Sequence, residues 1–224
     1  MKKNSDDISF GVEPFWGLLA MWFTQDIVLN FFFKRKIIQG IDTLSSVNGT
    51  IIVAPTHRSR WDGLILTYAL GRRVTQKDCR FMVTKSEMKG IQGWFLKRLG
   101  CFSINQDSPS HYSIRHALEL IIKKHQVVIF PEGKINKNSK KIPLKQGLFR
   151  LAKLAHKKGE VVNIIPIGIA YDNVNPKFRG LVSLCIEKPL KINKFIDSSP
   201  SEFNRLLYKK INDAESKALR LVGR

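Results

Sequence analysis

Cysteine is scarce in this chain: Cys79, Cys101 and Cys185 are scattered, odd in number and without metal-type spacing. They read as reduced, small core residues of an intracellular protein, and no structural metal is expected. Acidic residues are scarce as well. Eighteen Asp+Glu face 38 Lys+Arg, a formal net charge of +20. A balance that basic calls for an anionic partner: nucleic acid, an acidic lipid surface or an acidic carrier protein. There is no internal repeat and no low-complexity tract. The G-x-S-x-G elbow, the P-loop, the dinucleotide fingerprint and H-E-x-x-H are all missing, which argues against hydrolase, nucleotide and zinc-protease readings. Zinc-finger spacing and an RNP-type aromatic motif are missing too, and the aromatics do not interleave with basic residues. Residues 1–11 are polar, with adjacent Asp6 and Asp7, and do not read as a secretory signal.

At 224 residues, 43% of them hydrophobic and 25% charged, the chain has room for one substantial domain and a short appendage. Its most apolar region, Pro14 to Lys36 ("PFWGLLAMWFTQDIVLNFFFKRK"), is about as long as a bilayer span, roughly 20 residues. Gln25 and Asp26 interrupt its middle. A charge at mid-membrane costs about 2.5–3.5 kcal/mol, so two shorter helices lying in the interface fit better than one span. A pair of helices packed on the domain is the alternative. Trp16, Trp22, the Phe31–Phe33 cluster and the basic Lys34, Arg35 and Lys36 suit an interfacial anchor. The expected organisation is an apolar helical segment over residues 1–36 and the main domain over residues 37–224.

Beyond Gly40, short apolar runs alternate with helix-like stretches. Ile51–Ala54, Phe81–Thr84, Val127–Phe130, Asn163–Ala170 and Val182–Glu187 read as strands. Between them Gly63–Leu70, Gly93–Leu99, Tyr112–Lys124 and Gly147–His156 read as helices. The pattern predicts an α/β domain with a largely parallel or mixed central sheet flanked by helices. A last helix is announced by Ser199, Pro200 and Glu202, an N-cap, a first-turn proline and a capping-box acid.

His57 stands apart from the other histidines because it directly follows a buried-type strand, at the end where open α/β sheets place their sites. His111, His116, His125 and His156 read as solvent-facing. At about 100° per residue, positions five apart on one helix point away from each other. Contact between His57 and Asp62 therefore requires His57 in a turn and Asp62 in the first helical turn. Ser59-x-x-Asp62 also matches a capping box, so Asp62 has a purely structural reading beside the chemical one. Pro131-Glu132-Gly133 follows a second buried-type strand, where a carboxylate and backbone N–H groups could meet a bound anion; an ordinary turn is the plain alternative. Gly133 to Lys145 ("GKINKNSKKIPLK") is the one long polar loop.

Taken in order, His57-x4-Asp62, Pro131-Glu132-Gly133, "LKQGLFRLA" (Leu144–Ala152) and "NIIPIGIAY" (Asn163–Tyr171) resemble the glycerolipid acyltransferase family, which makes phosphatidic acid from lysophosphatidic acid. The resemblance runs from about Ile37 to Pro189. It implies a glycerol-3-phosphate-acyltransferase-like fold, with His57 as general base and Asp62 orienting it. By the same resemblance acceptor binding falls on Lys85, Glu132, Gly133 and Lys145, with Lys134 beside them as a source of positive charge. For the transfer chemistry, backbone N–H groups at the helix start after His57 are candidates for the oxyanion site. No cofactor is implied, because the acyl group arrives on coenzyme A or an acyl carrier protein as co-substrate. The partners implied are a lysophospholipid, an acyl thioester and an anionic membrane surface, at a membrane-associated site facing the cytoplasm.

The chain also departs from the family pattern. Gln106 stands where the family usually has arginine, and Lys134 and Ile135 stand where it has Thr or Ser and then Arg. Lys134, Lys137, Lys140 or Lys141 is then the expected source of positive charge, without the bidentate fork of arginine. Glycerol 3-phosphate, another lysolipid or an amino-lipid stays open as acceptor. A basic nucleic-acid-binding domain is the rival outside enzymes.

Overall fold

Strand and helix alternate through the computed structural model, which describes residues 12–45, 47–105 and 110–224. The expectations placed on residues 1–11 and on Gln106 lie outside the described residues. The order begins with α1 (Pro14–Met21), a π-helical stretch (Trp22–Val28), α2 (Leu29–Phe32), β1 (Phe33–Gln39), α3 (Asp42–Ser45), β2 (Thr50–Pro55), α4 (Asp62–Leu70), α5 (Arg72–Thr75) and β3 (Cys79–Thr84). It continues with α6 (Gly90–Arg98), β4 (Phe102–Ile104), α7 (His111–Ile122), β5 (Gln126–Val128) and α8 (Gly147–Lys157). The remaining elements are β6 (Val162–Tyr171), β7 (Gly180–Ile186), β8 (Leu190–Lys191) and α9 (Pro200–Leu221).

Among the described residues eight strands form one mixed sheet in the order β1-β7-β6-β2-β5-β3-β4, with β8 beside β6, and only the pairings of β6 with β7 and with β8 are antiparallel. The run of consecutive apolar residues in β6 is explained by its central place, where every residue is buried. Pro166 falls between the two stretches of β6 that pair with β8 and β7, so its missing N–H breaks no ladder on that side.

The period-2 alternation of β2 divides the core. Ile52 and Ala54 face a cluster with α7, α8 and α9, while Val53 faces one with α4 and Phe81. The C-terminal helix α9 starts with the expected capping box: Ser199 N–H donates to Glu202 (2.8 Å) and Glu202 N–H to Ser199 Oγ (3.2 Å). It lies against β6 so closely that a Cβ on Gly168 would sit 2.0 Å from the backbone nitrogen of Glu215. Only glycine leaves that room.

Three strands escape the sequence pattern. β4 and β8 have three and two residues, too short to show alternation. β1 pairs with β7 from Phe33 onward, so it begins inside the stretch assigned to the apolar segment and runs across the boundary expected after Lys36. Its "FKRKIIQ" reads as a basic flank because exposed lysines and arginine fill the edge positions.

The N-terminal region is one continuous helical run, Pro14–Phe32, rather than two helices. The polar pair that interrupts it docks it onto the domain. Gln25 is buried and donates to the Thr67 carbonyl (3.2 Å), and Asp26 accepts two bonds from Arg73 (2.5 and 2.6 Å). Both residues lie in the π-helical stretch, a distortion that re-aims side chains inside a helix. Gly17, Ala20, Met21 and Thr24 turn inward at helical spacing. Phe15, Leu18, Leu19, Trp22, Phe23 and Ile27 are exposed outward. By length and composition this helix could cross a membrane.

Candidate active site

Pro55 ends β2, and the next six residues turn the chain into α4 with Asp62 at its first position. His57 Nδ1 lies 2.9 Å from Asp62 Oδ2, with the histidine in the turn and the aspartate on the helix as the spacing requires. Asp62 is fully buried. Its Oδ2 also accepts the N–H groups of Arg58 (2.6 Å) and Ser59 (2.9 Å), and its Oδ1 accepts the Tyr171 hydroxyl (2.6 Å). One carboxylate thus holds the loop, the imidazole and a tyrosine from β6. The capping box expected from Ser59-x-x-Asp62 does not form: Asp62 accepts Ser59 N–H, but Ser59 Oγ takes Trp61 N–H (3.3 Å), and Trp61, the N-cap residue of α4, makes no side-chain cap bond.

A carboxylate can only accept, so Nδ1 carries the imidazole proton and Nε2 is left with its lone pair. The ring stacks on Phe130 at 4.0 Å between centroids, which fixes its plane. His57 lines a cavity of about 1100 Å³. Burial and the neighbouring Asp62 raise the Tyr171 phenol well above its ordinary value, so it stays a donor.

Behind the histidine lies a buried ionic network. Arg58 Nη1 donates to both oxygens of Glu132 (2.7 and 2.9 Å), and Arg58 Nη2 donates to Glu215 of α9 (2.7 Å). Arg58 Nε makes a second, short contact to Glu215. Glu132 further accepts His57 N–H (3.0 Å) and the Asn136 amide (2.7 Å); Ser139 completes Glu215 at 2.7 Å. Burial lowers the Arg58 pKa and the two carboxylates raise it, for a net rise. The guanidinium stays charged.

Glu132, expected in acceptor binding, belongs to this network and is not among the residues that line the cavity. Its carboxylate faces away from the cavity, consumed by Arg58, His57 N–H and Asn136. Gly133 at φ 70° turns the chain immediately afterwards, and Pro131, Gly133, Lys134 and Lys145 do line the cavity. Lys85 is exposed at the start of a 3-10 turn and does not line it; Thr84 and Glu87 do. Among the four loop lysines only Lys134 lines the cavity, while Lys137 reaches Asn175 (3.1 Å). Of the N–H groups at the helix start, those of His57, Arg58, Ser59, Trp61 and Asp62 are taken by Glu132, Asp62, Asp62, Ser59 Oγ and the Ser59 carbonyl, so the oxyanion expectation narrows to Arg60, Gly63 and Leu64, which line the cavity.

Positive charge at the cavity comes instead from side chains, Arg60, Lys134, Lys145 and Arg150, with Glu87 3.6 Å from Arg60. Three functional positions went unnoticed in the sequence: Arg58, Tyr171 and Glu215. For Glu215 a signal existed, since it continues the apolar spacing Phe203, Leu207, Ile211 as the fourth member. His116, expected on the surface, is buried against Phe102 (5.2 Å between centroids), and burial lowers it to about 4. Cys79 and Cys101 are buried thiols pushed up to about 12 by burial.

Both the sequence and the fold have relatives among known proteins. The stretch of 147 residues that is 31% identical to a glycerol-3-phosphate acyltransferase of Alteromonas mediterranea covers 60% of this chain and 17% of that protein. A 1-acyl-sn-glycerol-3-phosphate acyltransferase of Streptococcus pneumoniae is 29% identical over 119 residues, 52% of this chain and 40% of its own. The chain therefore spans less than half the length of these curated relatives. In fold it resembles the crystal structure of the 1-acyl-sn-glycerophosphate (LPA) acyltransferase of Thermotoga maritima, with a TM-score of 0.68 at 18% identity over 92% of this chain and 80% of that one. Residues 35–170, which include the histidine turn, the Glu132 turn and β6 up to Ala170, match the family model described as Acyltransferase. The chain belongs to the Acyltransferase family.

Proposed function

We propose that the protein transfers a fatty acyl group from a thioester carrier to the hydroxyl of a lysophospholipid, 1-acyl-sn-glycerol 3-phosphate, to give phosphatidic acid. The observation that carries this reading is His57, whose Nδ1 is tied to buried Asp62 while the ring lines a cavity that is apolar inside and basic at its rim. The alcohol oxygen attacks the thioester carbonyl carbon as Nε2 takes its proton. The carbon–sulfur bond then breaks, and the imidazolium returns the proton to sulfur. Asp62 holds the tautomer and stabilises the imidazolium, as the third group of a triad does. Arg60, Lys134 and Lys145 supply the charge that meets the phosphate and the developing oxyanion.

Coenzyme A or an acidic acyl carrier protein suits the basic rim as donor. The outward row of Trp22, Phe23 and Leu18 suits insertion along an anionic membrane surface, with Gln25 and Asp26 holding the helix to the domain. Soluble thioester carriers place that surface on the cytoplasmic side. Glycerol 3-phosphate is the second reading for the acceptor, because relatives of this chain carry that name. The test is transfer from palmitoyl-coenzyme A and from palmitoyl carrier protein to 1-acyl-glycerol 3-phosphate and to glycerol 3-phosphate. Transfer to the lysolipid that His57→Ala abolishes is expected; transfer to neither acceptor would overturn the reading.

A further inference from the structure

We propose that the cavity holds two apolar chains at once, and that its arm between α7 and α8 receives the fatty acyl chain of the acceptor. The inference rests on the acyl-transfer reading of His57. Its basis is the alternation of β3. Phe81 and Val83 point to the α4 side of the sheet and Met82 to the α7–α8 side, yet all three line the same cavity. Ile129 and Phe130, beyond β5, divide in the same way. A single-sided groove cannot touch both. The cavity sits over the carboxyl ends of these strands and continues down both faces of the sheet.

One arm passes Leu64 beneath Gly17 and Ala20 of α1 and reaches Cys79 where β3 begins. The charge at its far end is already satisfied, for Arg72 is paired with Asp78 through two bonds (2.6 and 3.1 Å). The second arm lies between Ile114 and Ala117 of α7 and Leu148, Leu151 and Leu154 of α8. Lys145, on the approach to α8, and Arg150, on the helix itself, are exposed and line the same cavity, so an anionic group finds cations beside an apolar slot. That suits a lysophosphatidate, phosphate at the cations and chain in the slot. His57, which follows the carboxyl end of β2, lines the same cavity, and the two reacting groups must come together there. The size agrees: about 1100 Å³ exceeds the volume of an ordinary single-ligand pocket, about 300–1,000 Å³.

The experiment uses the full chain with palmitoyl- and hexanoyl-coenzyme A as donors and three acceptors, 1-palmitoyl-glycerol 3-phosphate, 1-hexanoyl-glycerol 3-phosphate and glycerol 3-phosphate. Filling the second arm by Ile114→Trp should lower the palmitoyl-to-hexanoyl ratio of acceptor kcat/KM by about tenfold or more. Leu154→Trp, at a partly exposed position where folding is not at stake, should move the ratio in the same direction. Thermal melts establish that each variant is folded. An unchanged ratio in the folded variants overturns the assignment. So does a change in donor chain-length preference in place of acceptor preference, which would give this arm to the donor. A wild-type chain that acylates glycerol 3-phosphate but neither lysolipid overturns it as well while sparing the chemistry of His57. No transfer to any of the three sinks the underlying reading and the inference with it.

Discussion

Arg58 and Glu215 stand 157 positions apart in the chain and meet in a buried two-point ion pair, with Arg58 Nη2 2.7 Å from Glu215 Oε2. Through it the last helix braces the turn that carries His57. Removing Glu215 takes away charge-assisted bonds while Arg58 keeps Glu132 as its counter-charge, a loss of about 1.5–3 kcal/mol. Glu215→Ala should therefore lower the urea midpoint by that equivalent, although Glu215 touches no part of the cavity. A midpoint equal to wild type would remove the brace from the account.

His57→Ala should cut acyl transfer by about 10²–10⁴-fold, the range of a general base. Its thermal melt should stay close to wild type, because the ring is partly exposed and bonded through one nitrogen. Full transfer by the folded variant is the result that refutes the role.

Asp62→Asn should behave differently, losing activity and stability together. Its carboxylate takes four donors, from His57, Arg58, Ser59 and Tyr171, and an amide can satisfy neither the charge nor all of them. Tyr171→Phe removes only one, at a cost of about 1.5–3 kcal/mol for a bond to a charged group. Parallel melts of the two variants rank these effects, and a larger loss in Tyr171→Phe would contradict the geometry.

His116 makes stability depend on pH. Its folded value, lowered by burial and by Arg80 to about 4, lies below the ordinary 6.5. Within that window the unfolded chain binds a proton that the native chain does not, so stability falls as pH drops from 6.5 towards 4. His116→Leu should flatten that slope. Urea midpoints at about pH 7 and about pH 5 measure it, and an identical slope in the variant would exclude His116 as a contributor.

The outward row of the N-terminal helix should govern vesicle binding. Leu18→Ser with Phe23→Ser removes exposed apolar surface and should weaken binding to anionic vesicles while leaving the melt in place. Deleting residues 1–36 is the poorer test, since it cuts β1 in half. Binding equal to wild type in the double variant would separate this face from the membrane.

Apart from the three-residue β4, the strands from β2 to β7 were legible in the residues because buried strands leave runs such as "NIIPIGIAY", and the last helix because its cap leaves Ser199 and Glu202. His57 and Asp62 were legible too, since a turn followed by a helix start is a local event that five residues of spacing can express. β1 was not, because an edge strand exposes its charged side chains, and what makes it a strand is β7, far along the chain.

The sequence by itself determined the α/β class, the basic surface and the His57–Asp62 pair, all consequences of composition, periodicity and neighbouring positions. Only the tertiary structure decided what Glu132, Gln25 and Asp26 do. A carboxylate after a strand can meet a ligand or a guanidinium, and a polar pair in an apolar helix can break it or dock it. Those choices depend on which distant partners arrive, the Arg58 guanidinium donating to Glu132, the Thr67 carbonyl accepting from Gln25 and the Arg73 guanidinium donating to Asp26, and chain folding alone brings them there.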